Sequence, residues 1–129
     1  SDPVIQSILD TAASYLGTPY VWGGTSPDGF DCSGFVQYVY SQNGYSLTRT
    51  TYTQWDNDGT FVSKSELQSG DLVYFTKTYS AATPVTHVGI YVGDGMMIHS
   101  PSTGDVVKYS TIESGYYSNN YMGAKRIVN

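Results

Sequence analysis

The stretch Thr86-His87-Val88-Gly89-Ile90-Tyr91-Val92-Gly93-Asp94-Gly95-Met96-Met97-Ile98-His99 decides the fold. From Thr86 to Val92 it alternates. Val88, Ile90 and Val92 fall on one face, and His87, Gly89 and Tyr91 on the other, the period of a strand buried on one side. Gly93-Asp94-Gly95 reads as a hairpin turn and Met96 to Ser100 as the return strand. A three-residue turn with Gly95 in the left-handed position pairs Val92 with Met96 and sets His99 across from Gly89. His87 then lies two residues along on the same face, with the two backbones roughly 7–8 Å apart. A two- or four-residue turn would send the histidines to opposite faces.

Working outward, Leu72-Val73-Tyr74-Phe75 is a short apolar run that reads as a buried strand, joined to the hairpin by a long loop over 76–86 containing Pro84. Val106 to Tyr109 and Met122 to Val128 read as two further strands. Before Asp71 the pattern is helical. Val4, Ile5, Ile8, Leu9, Ala12, Ala13 and Leu16 make one stripe, with Asp2 as cap, Pro3 in the first turn and Gly17 as stop. Phe35, Val36, Val39 and Tyr40 mark a second helix ending near Asn43-Gly44, and residues 47–55 a turn into a short third one. Ser63-Lys64-Ser65-Glu66 has the pattern of a capping box. Helices first and strands later predict an α+β domain with a mostly antiparallel sheet of about five strands.

The lone cysteine lies in Phe30-Asp31-Cys32-Ser33-Gly34-Phe35, after a Gly- and Pro-rich loop over 17–29. Asp31 suits an N-cap, which puts Cys32 in the first turn of the second helix. A helix N-terminus favours thiolate over thiol, so this cysteine is expected to be a nucleophile rather than an inert core residue.

At 129 residues the chain suits one domain with its own core. One cysteine forbids an internal disulfide. Thirteen tyrosines, fourteen glycines and 13% charged residues give a surface of rings and hydroxyls that suits sugar or peptide ligands and equally suits a secreted protein with a polar, weakly charged exterior. A net charge of −5 without a Lys/Arg cluster argues against nucleic acid. No apolar run approaches the length of a membrane span.

A thiol, a base beside it and a group orienting the base form the general layout of nucleophilic catalysis. Cys32 would attack a carbonyl, His87 would carry the proton, and His99 would hold the His87 tautomer, with Asp31 and Asp94 as alternatives in that last role. A zinc site of Cys32, His87 and His99 is the competing chemistry, although the spacing matches no short zinc signature.

These residues resemble the NlpC-type family of papain-like cysteine peptidases that cut peptidoglycan stem peptides. The likeness runs through Leu16 to Gly24, Phe30 to Phe35, Leu67 to Phe75, His87 to Gly93 and Met97 to His99. It implies a papain-like core with the nucleophile helix packed on the sheet. It also implies Cys32 as nucleophile, His87 as base, His99 as orienting residue, and no metal or cofactor. The bond implied is the γ-D-glutamyl link to diaminopimelate or Lys. By matching position Tyr20 would help hold the oxyanion, and Trp22 lies beside it in the same motif. Asp31 and Ser33 would bind a free amino end of the substrate, and Arg49-Thr50-Thr51 would line that cleft, with threonine where the family usually has serine. The expectation is one catalytic domain, 1–129, cut from a longer secreted protein, monomeric and acting in the cell wall. The rivals are a CHAP-like amidase or cross-bridge peptidase, and a wall-binding module without activity.

Overall fold

The computed structural model describes residues 2–128. Helix α1 (Pro3–Ser14) is capped by the Asp2 carboxylate, which accepts from the Val4 N–H at 2.8 Å. It stops before the expected Leu16, because the chain turns at Gly17 with φ +89°, and Leu16 is left exposed. The loop that follows carries an unforeseen two-stranded ribbon, β1 (Thr25–Ser26) and β2 (Gly29–Phe30). Then come α2 (Cys32–Ser41), α3 (Thr51–Asn57), β3 (Thr60–Val62) and a 3-10 turn at Lys64–Glu66. At that turn Ser63 bonds the Glu66 carboxylate at 2.8 Å rather than a backbone N–H, so the expected capping box is not closed. The rest is β4 (Leu72–Thr76), β5 (Val85–Gly93), β6 (Met96–His99), β7 (Lys108–Thr111), α4 (Gly115–Asn119) and β8 (Tyr121–Arg126).

The main sheet has six strands in the order β3-β8-β4-β5-β6-β7, every pairing antiparallel. The α+β class therefore holds, with one strand more than expected. The extra strand, β3, is a three-residue edge piece without an alternating pattern to reveal it. Strand β7 begins two residues later than read from the sequence. Val106 instead bridges Pro19, and Val107 exchanges backbone hydrogen bonds with Gly17 and Thr18. The 17–31 loop is thus tied to the far end of the sheet.

Two apolar layers result. Ile8, Phe35, Val36, Val39 and Tyr40 from the helices pack on Leu72, Tyr74, Val88 and Ile90. Val73, Phe75, Met97, Ile112 and Ala124 form a second cluster on the other face. Gly34, in the first turn of α2, lies against the Gly24 carbonyl, with no room for a Cβ. That contact presses the tip of α2 onto the loop.

Asp71, 2% exposed, is held by Arg126 through two bonds of 2.9 Å and accepts from the Gln68 N–H at 2.9 Å. It joins the start of β4 to the end of β8. The carboxylate is buried while the Arg126 side chain is a quarter exposed, so Asp71→Ala leaves the Gln68 N–H without its partner and Arg126 open to water. Asp71→Ala is expected to lower unfolding stability by about 2 kcal/mol in urea denaturation. A loss below about 1 kcal/mol would show that the pair does not clamp the sheet.

Candidate active site

The hairpin delivers the two histidines, but not through the expected turn. Asp94 (φ +54°) and Gly95 (φ +74°) form a two-residue turn, with Gly93 pairing Met96. Alone, that turn would separate the histidines. A bulge between Tyr91 and Gly93 takes up Val92 and restores the register, so Tyr91 pairs Met97 and Ile90 pairs Ile98. The side-chain faces come out as expected for a different backbone reason. Gly89 is needed here: a Cβ would lie 3.2 Å from the His99 Cβ and crowd the Met97 sulfur.

His87 and His99 are bonded directly, Nε2 to Nδ1, at 2.7 Å. His99 Nε2 continues to Ser110 Oγ at 2.8 Å. Neither Asp31 nor Asp94 takes the orienting position: Asp31 is bound to Arg49 and the Gly34 N–H, and Asp94 sits exposed at the turn. Nor do the imidazoles aim at a common point with the thiol as a zinc site would require, since both His99 nitrogens are engaged by Ser110 and His87. With Nε2 engaged, His87 has Nδ1 left to face a substrate or the thiol. The ring of Tyr117 stacks on His87 at 5.6 Å and meets His99 edge-on at 5.1 Å.

Cys32 is the first residue of α2, with Asp31 as N-cap, as the sequence indicated. Its side chain packs against the apolar cluster that contains Val88, the neighbour of His87 on β5. The side chains of Cys32 and His87 line one cleft of about 390 Å³, with Tyr20, Trp22, Tyr79, Thr86 and Tyr117 among its walls.

At Cys32 the helix terminus that favours the thiolate is opposed by burial. Burial, aided by the Asp31 charge, pushes the Cys32 thiol up to about 12, against the opposing backbone N–H groups. Burial pushes His87 down to about 4, and burial with the His87 and Lys108 charges pushes His99 to about 2. Desolvation opposes the helix terminus at the thiol and disfavours the charged imidazole, while the two groups, sharing one cleft, titrate as a pair. Burial above all, then the Cys32 and Asp31 charges, also holds the Tyr20 hydroxyl protonated, pushed up to about 12.

A second cleft opens on the other side of Cys32, lined by Tyr20, Trp22, Asp31, Ser33, Arg49 and Thr51. Arg49 grips Asp31 through bonds of 2.7 and 3.2 Å and reaches Ser33 Oγ at 2.9 Å. All these expected residues are brought together. The exception in kind is Thr51, which is buried and donates its hydroxyl to the Val85 carbonyl at 3.0 Å. It anchors α3 to β5 instead of offering that hydroxyl to a ligand. Trp22 is 74% exposed, so it stands on the rim beside Tyr79 rather than packing the loop.

Sequence reasoning missed Ser110, Tyr117, Tyr79 and Gln54. Ser110 pairs Met97 on the strand whose start was placed too early. Tyr117 belongs to α4, a five-residue helix too short for a periodic signal. Gln54 is fully buried and bonds the Thr48 carbonyl at 3.0 Å and the Ser33 carbonyl at 3.4 Å, bracing the second cleft.

The NlpC/P60 family profile matches residues 17–126. A Bacillus cereus protein named gamma-D-glutamyl-L-lysine dipeptidyl-peptidase is 40% identical over 126 residues, covering 98% of this chain and 37% of its own. Murein DD-endopeptidase MepH of Escherichia coli is 40% identical over 116 residues, covering 88% of this chain and 42% of its own. The crystal structure of a Staphylococcus aureus protein described as similar to lipoprotein, NLP/P60 family, superposes with a TM-score of 0.91 at 42% identity, over 100% of this chain and 43% of that one. The chain spans about two fifths of the length of these two curated relatives.

Two histidines buried neutral make stability depend on pH. Their folded pKa values lie below the unfolded value near 6.5, so the unfolded chain takes up protons first. Stability is full above about pH 6.5 and falls as pH drops towards 4, by an amount on the order of a few kcal/mol. Urea midpoints between pH 7.5 and 5 should show the fall, and a His87→Gln/His99→Gln variant should flatten it. A level wild-type curve would mean the imidazoles are not buried neutral.

Proposed function

The chain belongs to the NlpC/P60 family, and on that footing we propose that it is a cysteine peptidase of peptidoglycan stem peptides, cutting the γ-D-glutamyl bond to a diamino acid. The observation that carries this reading is the Cys32 sulfur at the α2 tip sharing a cleft with His87, whose far nitrogen is bonded to His99. The bond specificity is supported by the relative whose name specifies a gamma-D-glutamyl-L-lysine linkage. The site of action is then the cell wall. Cys32, His87 and His99 act as nucleophile, base and orienting group.

In the proposed reaction the Cys32 proton passes to His87 Nδ1 as sulfur bonds the scissile carbonyl carbon. The two neutral groups charge together, which offsets much of the cost of ionising either one alone. The carbonyl oxygen becomes an oxyanion. Two donors suit it: the Cys32 N–H, which has no intrahelical acceptor at the first position of α2, and the protonated Tyr20 hydroxyl. As the C–N bond breaks, His87 returns the proton to the leaving amine and a thioester remains. Water then gives a proton to His87 Nδ1 and adds to the thioester, and collapse releases the carboxylate and restores the thiol. The second cleft would receive the amino-terminal side of the stem peptide. There the Asp31 carboxylate, shared with Arg49, and the Ser33 hydroxyl are the polar groups that would meet an amine.

A second reading, cleavage of a cross-link rather than the stem, is favoured by the 40% identity to the protein named as a DD-endopeptidase. Mass spectrometry of muropeptides digested from sacculi separates the two. The stem reading expects disaccharide carrying only the first two amino acids. Cross-link cleavage leaves whole stems and converts dimers to monomers, and amidase action releases sugar without peptide. Cys32→Ala should abolish product, with a loss of at least about 10³-fold. Labelling of Cys32 by a thiol reagent at pH 7 should slow by more than about tenfold in His87→Ala, because the thiol then lacks its proton acceptor. Equal labelling rates would remove His87 as base.

A further inference from the structure

We propose that Ser110 is a positioning residue that sets the tautomers of both histidines; this rests on His87 serving as the base. The nitrogens form a line that ends on Ser110: His87 Nε2 to His99 Nδ1 at 2.7 Å, and His99 Nε2 to Ser110 Oγ at 2.8 Å. Two proton arrangements satisfy that line. In one, His99 donates from Nε2 to the serine oxygen, leaving His99 Nδ1 bare. His99 Nδ1 then accepts from His87 Nε2–H, and His87 Nδ1 carries a free lone pair. In the other, the serine hydroxyl donates, both rings turn their protons round, and His87 presents an N–H where a base is needed. The first arrangement alone can take a proton from Cys32.

Ser110 favours it by supplying an acceptor at the end of the line. Without that oxygen, the working tautomer leaves a donor N–H of His99 unpaired beside the Met97 and Ile112 cluster, while the idle tautomer leaves only a bare nitrogen. His99 is fully buried, so bulk water is a poor substitute. Ser110 comes from β7, where it pairs Met97 while His99 pairs Lys108, so it lies diagonal to His99 on the same sheet face. It is absent from the walls of both clefts beside Cys32, so its role runs through His99 and not through substrate contact.

The chain has only two histidines, so long-range nitrogen–proton NMR correlation of the ¹⁵N-labelled protein reads both tautomers, with His99→Asn supplying the assignment. In the unmodified protein both rings are expected in the Nε2–H form. Ser110→Ala is expected to mix or reverse the tautomers and to lower kcat about fivefold to tenfold, the scale of one neutral hydrogen bond, with KM unchanged. Ser110→Thr, which keeps the hydroxyl, is expected to restore both. Nδ1–H forms in the unmodified protein overturn the proposal without any variant. Unchanged tautomers and kcat in a folded Ser110→Ala also overturn it. The spectrum needs no substrate, so a protein that cleaves no muropeptide would sink the peptidase reading while the tautomer result still decides the role of Ser110.

Discussion

One hydrogen bond, His87 Nε2 to His99 Nδ1 at 2.7 Å, is the constraint around which the site is built. It requires two adjacent antiparallel strands in one register, with both rings on one face. Gly89 leaves the space His99 occupies, and Phe75 and Tyr117, in edge contact with each other, pack together against the His87 ring. With that bond made, His87 has one nitrogen left, and the same strand packs Val88 beside the cysteine. The helix layer supplies the thiol and the opposite face supplies the imidazoles, so the chemistry sits where the two meet.

Burial sets the electrostatics more than charge does. Burial, with the Asp31 charge added, raises the thiol to about 12, and burial lowers the base to about 4. A thiol and an imidazole in one cleft are nonetheless a coupled pair, whose charges form together more readily than either alone. Dry surroundings strengthen the attraction between the new charges and keep fixed N–H donors effective. The flanking cleft follows a different principle. There Asp31 and Arg49 form an ion pair on the cleft wall, with the Gln54 amide and the Thr51 hydroxyl donating to the backbone beneath.

The legible part of the sequence was the part with a period or a cap. The stripe of α1, the Asp31 cap before Cys32 and the alternation from Thr86 to Val92 all correspond to real elements. The cleft residues Tyr20, Trp22, Asp31, Ser33 and Arg49 were reached through family likeness, and they do gather on one side of Cys32. Elements of three to five residues, such as β3 and α4, carry too few positions to show a period, so Tyr117 went unseen. Ser110 was hidden by a boundary: a strand read two residues early stopped short of it. At Cys32 the helix-terminus effect is visible in sequence, whereas the depth of packing that opposes it is not.

The bulge at Val92 gives the hairpin a parity rule. The connection between the two histidines must contain an odd surplus of backbone, whether as a longer turn or as a kink in the strand, and here the kink supplies it. The tip at Asp94-Gly95 faces away from the chemistry, yet its length is not free to drift by single residues. Loop exchange among relatives, or grafting of a foreign tip, would have to move in steps of two or carry its own compensating irregularity. An exposed turn that looks dispensable is thereby locked to the orientation of an imidazole at the far end of the strand.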